Sequence, residues 1–191
     1  MVMIVDTCKL ARVIHVDDDN QLKMEVCNDP AVFVQLYRRH YDAVFRYCLH
    51  RLFERQTAED LTSQVFLKVV ENFRRFKGDE QQFRSWLYKI ATNAVNNHLR
   101  KAARRKALVK VARLQTNSQD VNYRDPSDEK LAVLKEAVLS LKPRYQTIIT
   151  LRFFENFKLT EIAEVLGSSP GTVRSQLARA LAKLRKKLTT D

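Results

Sequence analysis

Glycine and proline are scarce in this chain, with three Gly and four Pro among 191 residues. Because β-sandwiches, glycine-rich phosphate loops and linker-dominated proteins need these residues for their turns, the scarcity argues against all three and leaves a mostly helical protein. Three cysteines without a Cys-x-x-Cys pair favour a reducing cytosol over a disulfide scaffold. No apolar run approaches the roughly 20 residues of a membrane span, and no secretory leader opens the chain, so we expect a soluble cytoplasmic protein.

Basic residues dominate the charge. Lys and Arg number 34 against 22 Asp and Glu, which gives a formal net charge of +12. Residues 79–113 contain nine basic and two acidic residues. Residues 131–191 contain eleven basic and five acidic residues. Residues 114–130, between these two basic blocks, contain two basic and four acidic residues. This pattern favours an acidic partner, such as a nucleic acid or a membrane surface.

The acidic gap also marks the domain organisation. It has few apolar residues and no helical period, as expected for a solvated linker. We place this linker at 105–128, between a first domain at 28–104 and a second at 129–191. Residues 1–27 form an extension whose role the sequence does not indicate. The predicted fold class is all-α, with two small helical domains joined by a flexible linker.

Three helices are predicted in the first domain. Asp29-Pro30 begins one, because a capping carboxylate precedes a proline at the first helical position. A second begins at Thr57, whose hydroxyl would cap it, with Asp60 completing a capping box. Residues 74–82 surround a glycine and predict a loop. A third helix begins at about Phe83.

The third helix has a polar face without carboxylates. Asparagine is about 0.7 kcal/mol worse than alanine in a helix, so three Asn on one helix weaken it where Glu or Lys would not. Asn and Arg side chains hydrogen-bond base edges and phosphates, which favours nucleic-acid binding here, although an ordinary solvated face explains the pattern equally well. The candidate residues are Lys89, Asn93, Asn96, Asn97 and Arg100.

Residues 159–188 predict a helix-turn-helix in the second domain. A short helix capped by Thr160 ends at Gly167, and a longer one begins after the cap Ser169 with Pro170 at its first position. The side chains expected to face the core are Val173, Leu177, Ala180, Leu181, Leu184 and Leu188.

The opposite face of that second helix is polar and basic. No acidic residue occurs between Thr172 and Thr190 to repel phosphate, so the helix is suited to the major groove of duplex DNA. The candidate DNA-binding residues are Thr172, Arg174, Ser175, Gln176, Arg179, Lys183 and Lys186.

Two sets of motifs occur in order along the chain. The first contains Ala58-Glu-Asp-Leu and, at 83–100, Phe83-Arg-Ser-Trp-Leu-Tyr; the second covers 141–155 and 159–180. Together they resemble bacterial RNA polymerase sigma factors of the extracytoplasmic-function (ECF) group over about 30–188. The resemblance implies a promoter-specificity subunit that binds core RNA polymerase and promoter DNA and has no chemistry of its own. It also implies repression by an anti-sigma factor or another regulator.

The resemblance implies that the second predicted helix binds core polymerase, with Glu59, Asp60 and Gln64 as candidate contacts. Four residues depart from the usual family pattern, in which their positions are acidic, aliphatic, amide and acidic: Thr57, Thr62, Ser63 and Gln64. These replacements suggest weaker core binding, or phosphorylation of the hydroxyls that would restore negative charge.

The resemblance also assigns the DNA surfaces. The −10 element is read as a single strand, with a base flipped into the loop at Phe76, Lys77 and Gly78 beside the polar face of the third helix. The second domain reads the −35 element as duplex, chiefly through Arg174, Ser175 and Arg179. The linker either mimics nucleic acid through its acidic residues or is a plain tether. Those acidic residues are Asp120, Asp125, Asp128 and Glu129.

Two other classes of function remain as alternatives. A stand-alone helix-turn-helix regulator accounts for 131–191 but leaves the Trp86-bearing helix unexplained. An enzyme needs clustered carboxylates or an activated nucleophile, and the sequence presents neither. A zinc site from Cys8, His15 and Cys27 has non-standard spacing. We therefore expect no catalytic residue, no metal site and no cofactor.

Overall fold

The computed structural model describes residues 30–112 and 129–189, and within these ranges every regular element is helical. The predicted all-α fold is confirmed. The helices are α1 (Pro30–Leu52), α2 (Arg55–Phe73), α3 (Glu80–Ala112), α4 (Glu129–Leu139), α5 (Pro143–Ile149), α6 (Leu159–Leu166) and α7 (Pro170–Leu188), with a π-helical segment at Thr150–Phe154. No helix in the described ranges is both long and apolar enough to cross a membrane.

Helices α1, α2 and α3 form the first domain around an apolar and aromatic core. The stripe Leu61, Val65, Val69 and Phe73 on α2 is buried, as its spacing of four predicts. Phe83 on α3 is completely buried, and its ring contacts Phe73 and two further aromatic rings. Burial of such large side chains stabilises the domain by about 1.5–3 kcal/mol each.

Of the three predicted helix starts in the first domain, the one at Pro30 agrees with the structure and the other two are wrong by a few residues. The N-cap of α2 is Glu54, not Thr57, because the Glu54 carboxylate accepts hydrogen bonds from the backbone N–H groups of Gln56 and Thr57 at 2.9 and 2.8 Å. Helix α3 begins at Glu80, so the loop is shorter than predicted. Asp79 and Gln82 bond reciprocally at this start, backbone N–H to side-chain oxygen, at 3.0 and 2.7 Å.

Helix α3 is also longer than expected at its other end. It continues to Ala112, so residues 105–112 of the predicted linker are helical. Ala, Lys, Arg and Leu dominate this stretch, and all four are strong helix formers. The rest of the linker, with Asp120, Asp125 and Asp128, and the extension at 1–27 lie outside the described residues.

The second domain contains the helix-turn-helix formed by α6 and α7. Gly167 ends α6 in the left-handed region, with φ 58°, and the Ser169 hydroxyl accepts a hydrogen bond from the Thr172 N–H at the start of α7. The predicted cap Thr160 instead lies within the first turn of α6, which Lys158 precedes.

The buried face of α7 is narrower than its apolar face. Val173, Ala180 and Leu184 are buried, whereas Leu181 and Leu188 are about two-fifths exposed, which corrects their prediction as core residues. Both lie at one edge of the apolar arc, about 60–80° from Val173 on the helical wheel. The neighbouring helices cover the opposite edge of that arc, where Ala180, Val173 and Leu184 lie.

The two domains pack against each other through one continuous core cluster. Ile148, Leu151, Phe157 and Ile162 of the second domain are fully buried in the cluster that contains the first domain's core. The Phe157 ring meets the Tyr88 ring of α3 at a centroid distance of 4.7 Å. This contact sets the position of the helix-turn-helix relative to α3.

Polar groups flank that apolar contact. The Arg51 side chain on α1 is 1% exposed and donates hydrogen bonds to the side-chain oxygens of Gln146 and Asn96. On the other side, the Tyr88 hydroxyl donates to the Glu155 carboxylate at 2.7 Å, and burial raises the pKa of Glu155. Buried polar groups that are paired in this way make the domain contact specific.

Candidate nucleic-acid interface

An aromatic pocket lies where the loop before α3 meets α2 and α3. The Phe76 and Trp86 rings stack with centroids 5.1 Å apart and an interplanar angle of 28°. They border an open cavity of about 460 Å³ together with one apolar, one amide and three basic side chains. Those side chains are Ile90, Asn72, Lys68, Arg75 and Lys77. Aromatic faces with cations beside them are the elements that bind a base and its phosphate.

Gly78 shapes this pocket through its lack of a side chain. A Cβ at Gly78 would lie 2.4 Å from Oε1 of Gln82 and 2.9 Å from Cζ of Phe76. The Gln82 oxygen is held by the Asp79 N–H, and the Phe76 ring is stacked on Trp86. Glycine at this position therefore allows the loop to fold Phe76 against Trp86. Of the three predicted loop residues, Phe76 and Lys77 line this cavity and Gly78 does not.

Four of the five predicted residues of the α3 polar face lie in a second cleft, separate from the aromatic pocket. Lys89, Asn93, Asn96 and Arg100 line one wall of a cavity of about 630 Å³. The other wall comes from the second domain and includes Pro143, Arg144, Thr147 and Gly167. Asn97 does not line this cleft, and its side-chain oxygen accepts a hydrogen bond from Arg100 at 2.8 Å.

Asn96 has a different environment from its exposed neighbour Asn93. Its side-chain oxygen accepts a hydrogen bond from the buried Arg51 at 2.9 Å, so in this arrangement it belongs to the contact between the domains. Thr92 shares the polar pattern but is buried, and its hydroxyl pairs with that of Tyr47 at 2.8 Å. The polar face therefore combines solvent-facing side chains with others that serve packing.

The predicted face of α7 is largely open to solvent. Its exposed members are Arg174, Ser175, Arg179, Lys183 and Lys186. Thr172 is half-buried at the helix cap. Gln176 is also half-buried, and its side-chain oxygen accepts a hydrogen bond from Nε of Arg144 at 2.8 Å. The face has the small and cationic surface that major-groove binding requires.

The exposed face of α2 contains apolar residues that the sequence pattern did not single out. Leu67 is 62% and Val70 is 50% exposed. They share a helix face with the exposed candidates Asp60 and Gln64. Glu59 is half-buried and forms an ion pair with Arg55 at 2.9 Å. Leu67 and Val70 lie outside the 61-65-69-73 stripe, and this was the available signal. The signal was not decisive, because Phe66 also lies outside that stripe and is buried.

The hydroxyl residues of α2 differ in access. Thr62 is fully buried and its hydroxyl donates to the carbonyl of Ala58 at 2.7 Å, so the hypothesis that it is phosphorylated is wrong for this fold. Ser63 is exposed and Thr57 is half-buried. A kinase can reach a hydroxyl only where the side chain is accessible, so the hypothesis is restricted to these two.

The described residues provide neither a cluster of metal ligands nor a reactive thiol. Across 30–112 and 129–189 no three His, Cys, Asp or Glu side chains come together as a metal site. Burial raises the pKa of the Cys48 thiol to about 11, which keeps it protonated and unreactive. Cys8, His15 and Cys27, the unusual zinc candidates, lie outside the described residues.

Both helical domains match known families. Residues 36–105 match sigma-70 region 2, and residues 131–184 match sigma-70 region 4. The chain belongs to the sigma-70 family. This sigma factor is 31% identical over 182 residues to the ECF RNA polymerase sigma factor BldN of Streptomyces coelicolor, a match that covers 92% of this chain and 69% of the relative. It is 30% identical over 159 residues to the RNA polymerase sigma factor YlaC of Bacillus subtilis, a match that covers 81% of this chain and 90% of the relative. The predicted ECF group is confirmed.

Solved structures share the fold of this sigma factor. The sigma factor RpoE, in complex with the anti-sigma factor NepR from Bartonella quintana, aligns with a TM-score of 0.64 and 21% identity over 84% of this chain and 98% of RpoE. CnrH, in complex with the cytosolic domain of CnrY, aligns with the same TM-score and 22% identity over 86% of this chain and 92% of CnrH. These similarities establish the two-domain helical architecture.

Proposed function

We propose that this sigma factor brings core RNA polymerase to promoters through three separate surfaces. The exposed face of α2 binds the polymerase, the α3 side of the first domain binds the melted −10 strand, and α7 binds the −35 duplex. The observation that carries the proposal is the pocket bordered by the stacked Phe76 and Trp86 rings, because an aromatic surface beside cations suits an unpaired base. A protein that binds only duplex DNA has no use for such a pocket.

At the −10 element, one base of the strand leaves the stack and enters the aromatic pocket. Extruding a base costs a few kcal/mol, which stacking on Trp86 and Phe76 offsets. Lys68, Arg75 and Lys77 meet the neighbouring phosphates. The strand then continues onto the polar face of α3, where the residues proposed to contact it are Lys89, Asn93, Asn96, Asn97 and Arg100.

Binding of the strand to that polar face requires the two domains to separate. Lys89, Asn93 and Arg100 face a cleft whose other wall is the second domain, and Asn96 is bonded to Arg51. DNA therefore competes with the domain contact for the same side chains. Core polymerase supplies the free energy for the separation by binding α2 and the second domain at a distance from each other.

Polymerase binding by α2 combines charge with apolar area. Asp60 and Gln64 provide polar contacts around the exposed side chains of Leu67 and Val70. Exposed apolar side chains that lie side by side and are bordered by polar groups suit a protein interface. Glu59 completes the candidate set but is partly held by its ion pair with Arg55.

Regulation and location follow from the same role. The fold relatives are bound to the anti-sigma factor NepR and to the cytosolic domain of CnrY, so we propose that a comparable protein represses this chain. The site of action of this sigma factor is the cytoplasm, where polymerase and promoters are. The chain needs no catalytic residue, metal or cofactor of its own, since the polymerase supplies the chemistry. The acidic linker either mimics nucleic acid or tethers the domains.

The alternative of a stand-alone helix-turn-helix regulator explains less of the chain. It accounts for 131–191 but not for the match of residues 36–105 to sigma-70 region 2. It also leaves the Trp86 pocket without a role. A regulator of that kind binds duplex DNA without polymerase, which distinguishes the two functions.

In-vitro transcription with a promoter library tests the proposed function. Core polymerase with the full chain is expected to start RNA chains at a defined subset of promoters, whereas core alone starts at none of them selectively. A gel shift of the chain without core is the matching control and should show weak duplex binding. Transcription start sites that are the same with and without the chain would overturn the proposal.

The α7 face gives a prediction that separates base reading from phosphate contact. Arg179→Ala is expected to cost about 1–3 kcal/mol at one base pair of the −35 element, because an arginine pairs two acceptors on a guanine edge. Lys186→Ala is expected to weaken binding to all sequences alike and to lower the salt slope by about one. Holoenzyme binding to single-base −35 variants over a salt range measures both. Equal effects of the two substitutions on every variant would contradict this division.

A further inference from the structure

Most of the aromatic pocket consists of groups that bind a base without selecting it. Every base has a π-face, so stacking on Phe76 and Trp86 is tolerant of sequence. In the proposed function the lysine and arginine side chains of the pocket meet phosphates, which contain no sequence information. Selection of a particular base in this pocket therefore requires a further polar group.

Asn72 is the remaining polar side chain of the pocket. Of the side chains that border this cavity in the described ranges, Asn72 alone contains a hydrogen-bond acceptor, because the others belong to lysine, arginine, phenylalanine, tryptophan and isoleucine. Asn72 lies in the last turn of α2, four residues before Phe76. Its side-chain oxygen is therefore the group of this pocket that can accept a hydrogen bond from a base.

The carboxamide of Asn72 is held in one orientation. Its Nδ2 donates a hydrogen bond to the backbone carbonyl oxygen of Lys68 at 2.8 Å. Because that carbonyl can only accept, the amide must turn its NH2 group toward it. The side-chain oxygen Oδ1 accepts no hydrogen bond from any residue in the described ranges. Asn72 thus directs its NH2 group at the helix and leaves its oxygen for a ligand.

We propose that Asn72 makes the pocket select adenine or cytosine over guanine or thymine at one position of the −10 strand. This inference rests on the proposed binding of an unpaired −10 base in the aromatic pocket. N6 of adenine and N4 of cytosine are amino donors, whereas O6 of guanine and O4 of thymine, at the equivalent ring positions, are acceptors. An amino group pairs with Oδ1 of Asn72, while a keto oxygen there places two acceptors against each other.

The openness of the pocket sets the size of this preference. A site that hydrogen-bonds its ligand discriminates against a ligand without the matching group, by about 10⁴-fold or more where the site is closed to water. Asn72 is exposed and borders an open cavity, so water can still hydrate an unpaired oxygen. The amino bases are therefore expected to bind about tenfold more tightly than the keto bases.

Matched pairs of bases isolate the amino group. Abasic nucleotides are first placed at each position of a −10 strand from a promoter that the transcription library selects. The pocket position is the one at which base loss weakens binding to the wild-type holoenzyme but not to the Trp86→Ala holoenzyme. Cytosine or uracil, and adenine or hypoxanthine, are then compared at that position. Within each pair the ring size is the same, and an amino group beside a ring acceptor becomes a keto oxygen beside an N–H group.

Anisotropy of the fluorescent strands, with the full chain assembled with core polymerase, measures the affinities. Wild type should prefer the amino base of each pair by about tenfold. Asn72→Leu removes the acceptor and improves helix propensity, and the two bases of a pair should then bind within about twofold of each other. Asn72→Asp keeps an acceptor and should retain the preference, although its charge weakens binding of every strand.

Gln81→Leu is the matched control. It removes an exposed amide side chain in the first turn of α3 that does not border the cavity, and it should retain the wild-type preference. Equal binding of amino and keto bases by wild type overturns the role of Asn72, and so does a preference that persists in Asn72→Leu. If no position of the strand depends on Trp86, the pocket and the proposed −10 function fail instead.

Discussion

Arg51→Ala is expected to lower the free energy of unfolding by about 3–5 kcal/mol. The Arg51 guanidinium is almost fully buried and donates to the side-chain oxygens of Gln146 and Asn96. Each hydrogen bond from a charged donor contributes about 1.5–3 kcal/mol, and their loss leaves the buried Gln146 oxygen and the half-buried Asn96 oxygen without this donor. Because one partner lies in each domain, the substitution weakens both the first domain and its contact with the second.

Urea denaturation followed by tryptophan fluorescence measures this loss, since Trp86 is the single tryptophan and lies in the first domain. Arg38→Ala on the same helix is the matched control, and its exposed side chain should cost no more than about 0.5 kcal/mol. Arg51→Met fills the space without hydrogen bonds and should fall between the two. A loss below 1 kcal/mol for Arg51→Ala would show that the buried network contributes little to stability.

Trp86→Ala is expected to weaken binding of the −10 single strand by about 10–100-fold. Its indole ring forms one wall of the pocket and stacks on Phe76, so its removal deletes a stacking surface and the ring on which Phe76 stacks. Stacking of one base on an aromatic side chain is worth about 1–3 kcal/mol, and 1.4 kcal/mol corresponds to a factor of ten. Holoenzyme binding to a fluorescent −10 strand measures the change.

Two comparisons restrict the interpretation of that result. Trp86→Phe keeps an aromatic face and should recover most of the affinity. Binding to the −35 duplex should be unchanged in both variants, because α7 lies in the other domain. The pocket assignment would be contradicted by unchanged single-strand binding in Trp86→Ala, or by a parallel loss on the −35 duplex.

Local sequence patterns predicted most of the helices and the exposed basic face of α7. The four-residue stripe of α2, the Ser169 cap with Pro170 and the left-handed Gly167 are each determined within a few residues of chain. Helix starts were less predictable, because several side chains near a terminus compete to cap it. At α2 the Glu54 carboxylate, three residues earlier, replaced the expected Thr57.

Long-range contacts were not predictable in the same way. The pairing of Arg51 with Gln146 joins residues 95 positions apart, and nothing in either local pattern indicates it. The separation of Phe76 and Lys77 from Asn93 into different cavities likewise depends on how α2, α3 and the second domain pack. Leu67 and Val70 could have been noticed outside the buried stripe, but their exposure required the packed domain to be seen.

The amino-acid sequence by itself determined the helical class, the helix-turn-helix and the basic faces of α3 and α7, because each depends on periodicity, capping and charge along a short stretch of chain. Only the tertiary structure decided which polar residues of α3 face solvent, which are held in the domain contact, and where the aromatic pocket lies. The physical reason is that burial and hydrogen-bond pairing depend on residues that are distant in sequence and become neighbours only when the helices pack.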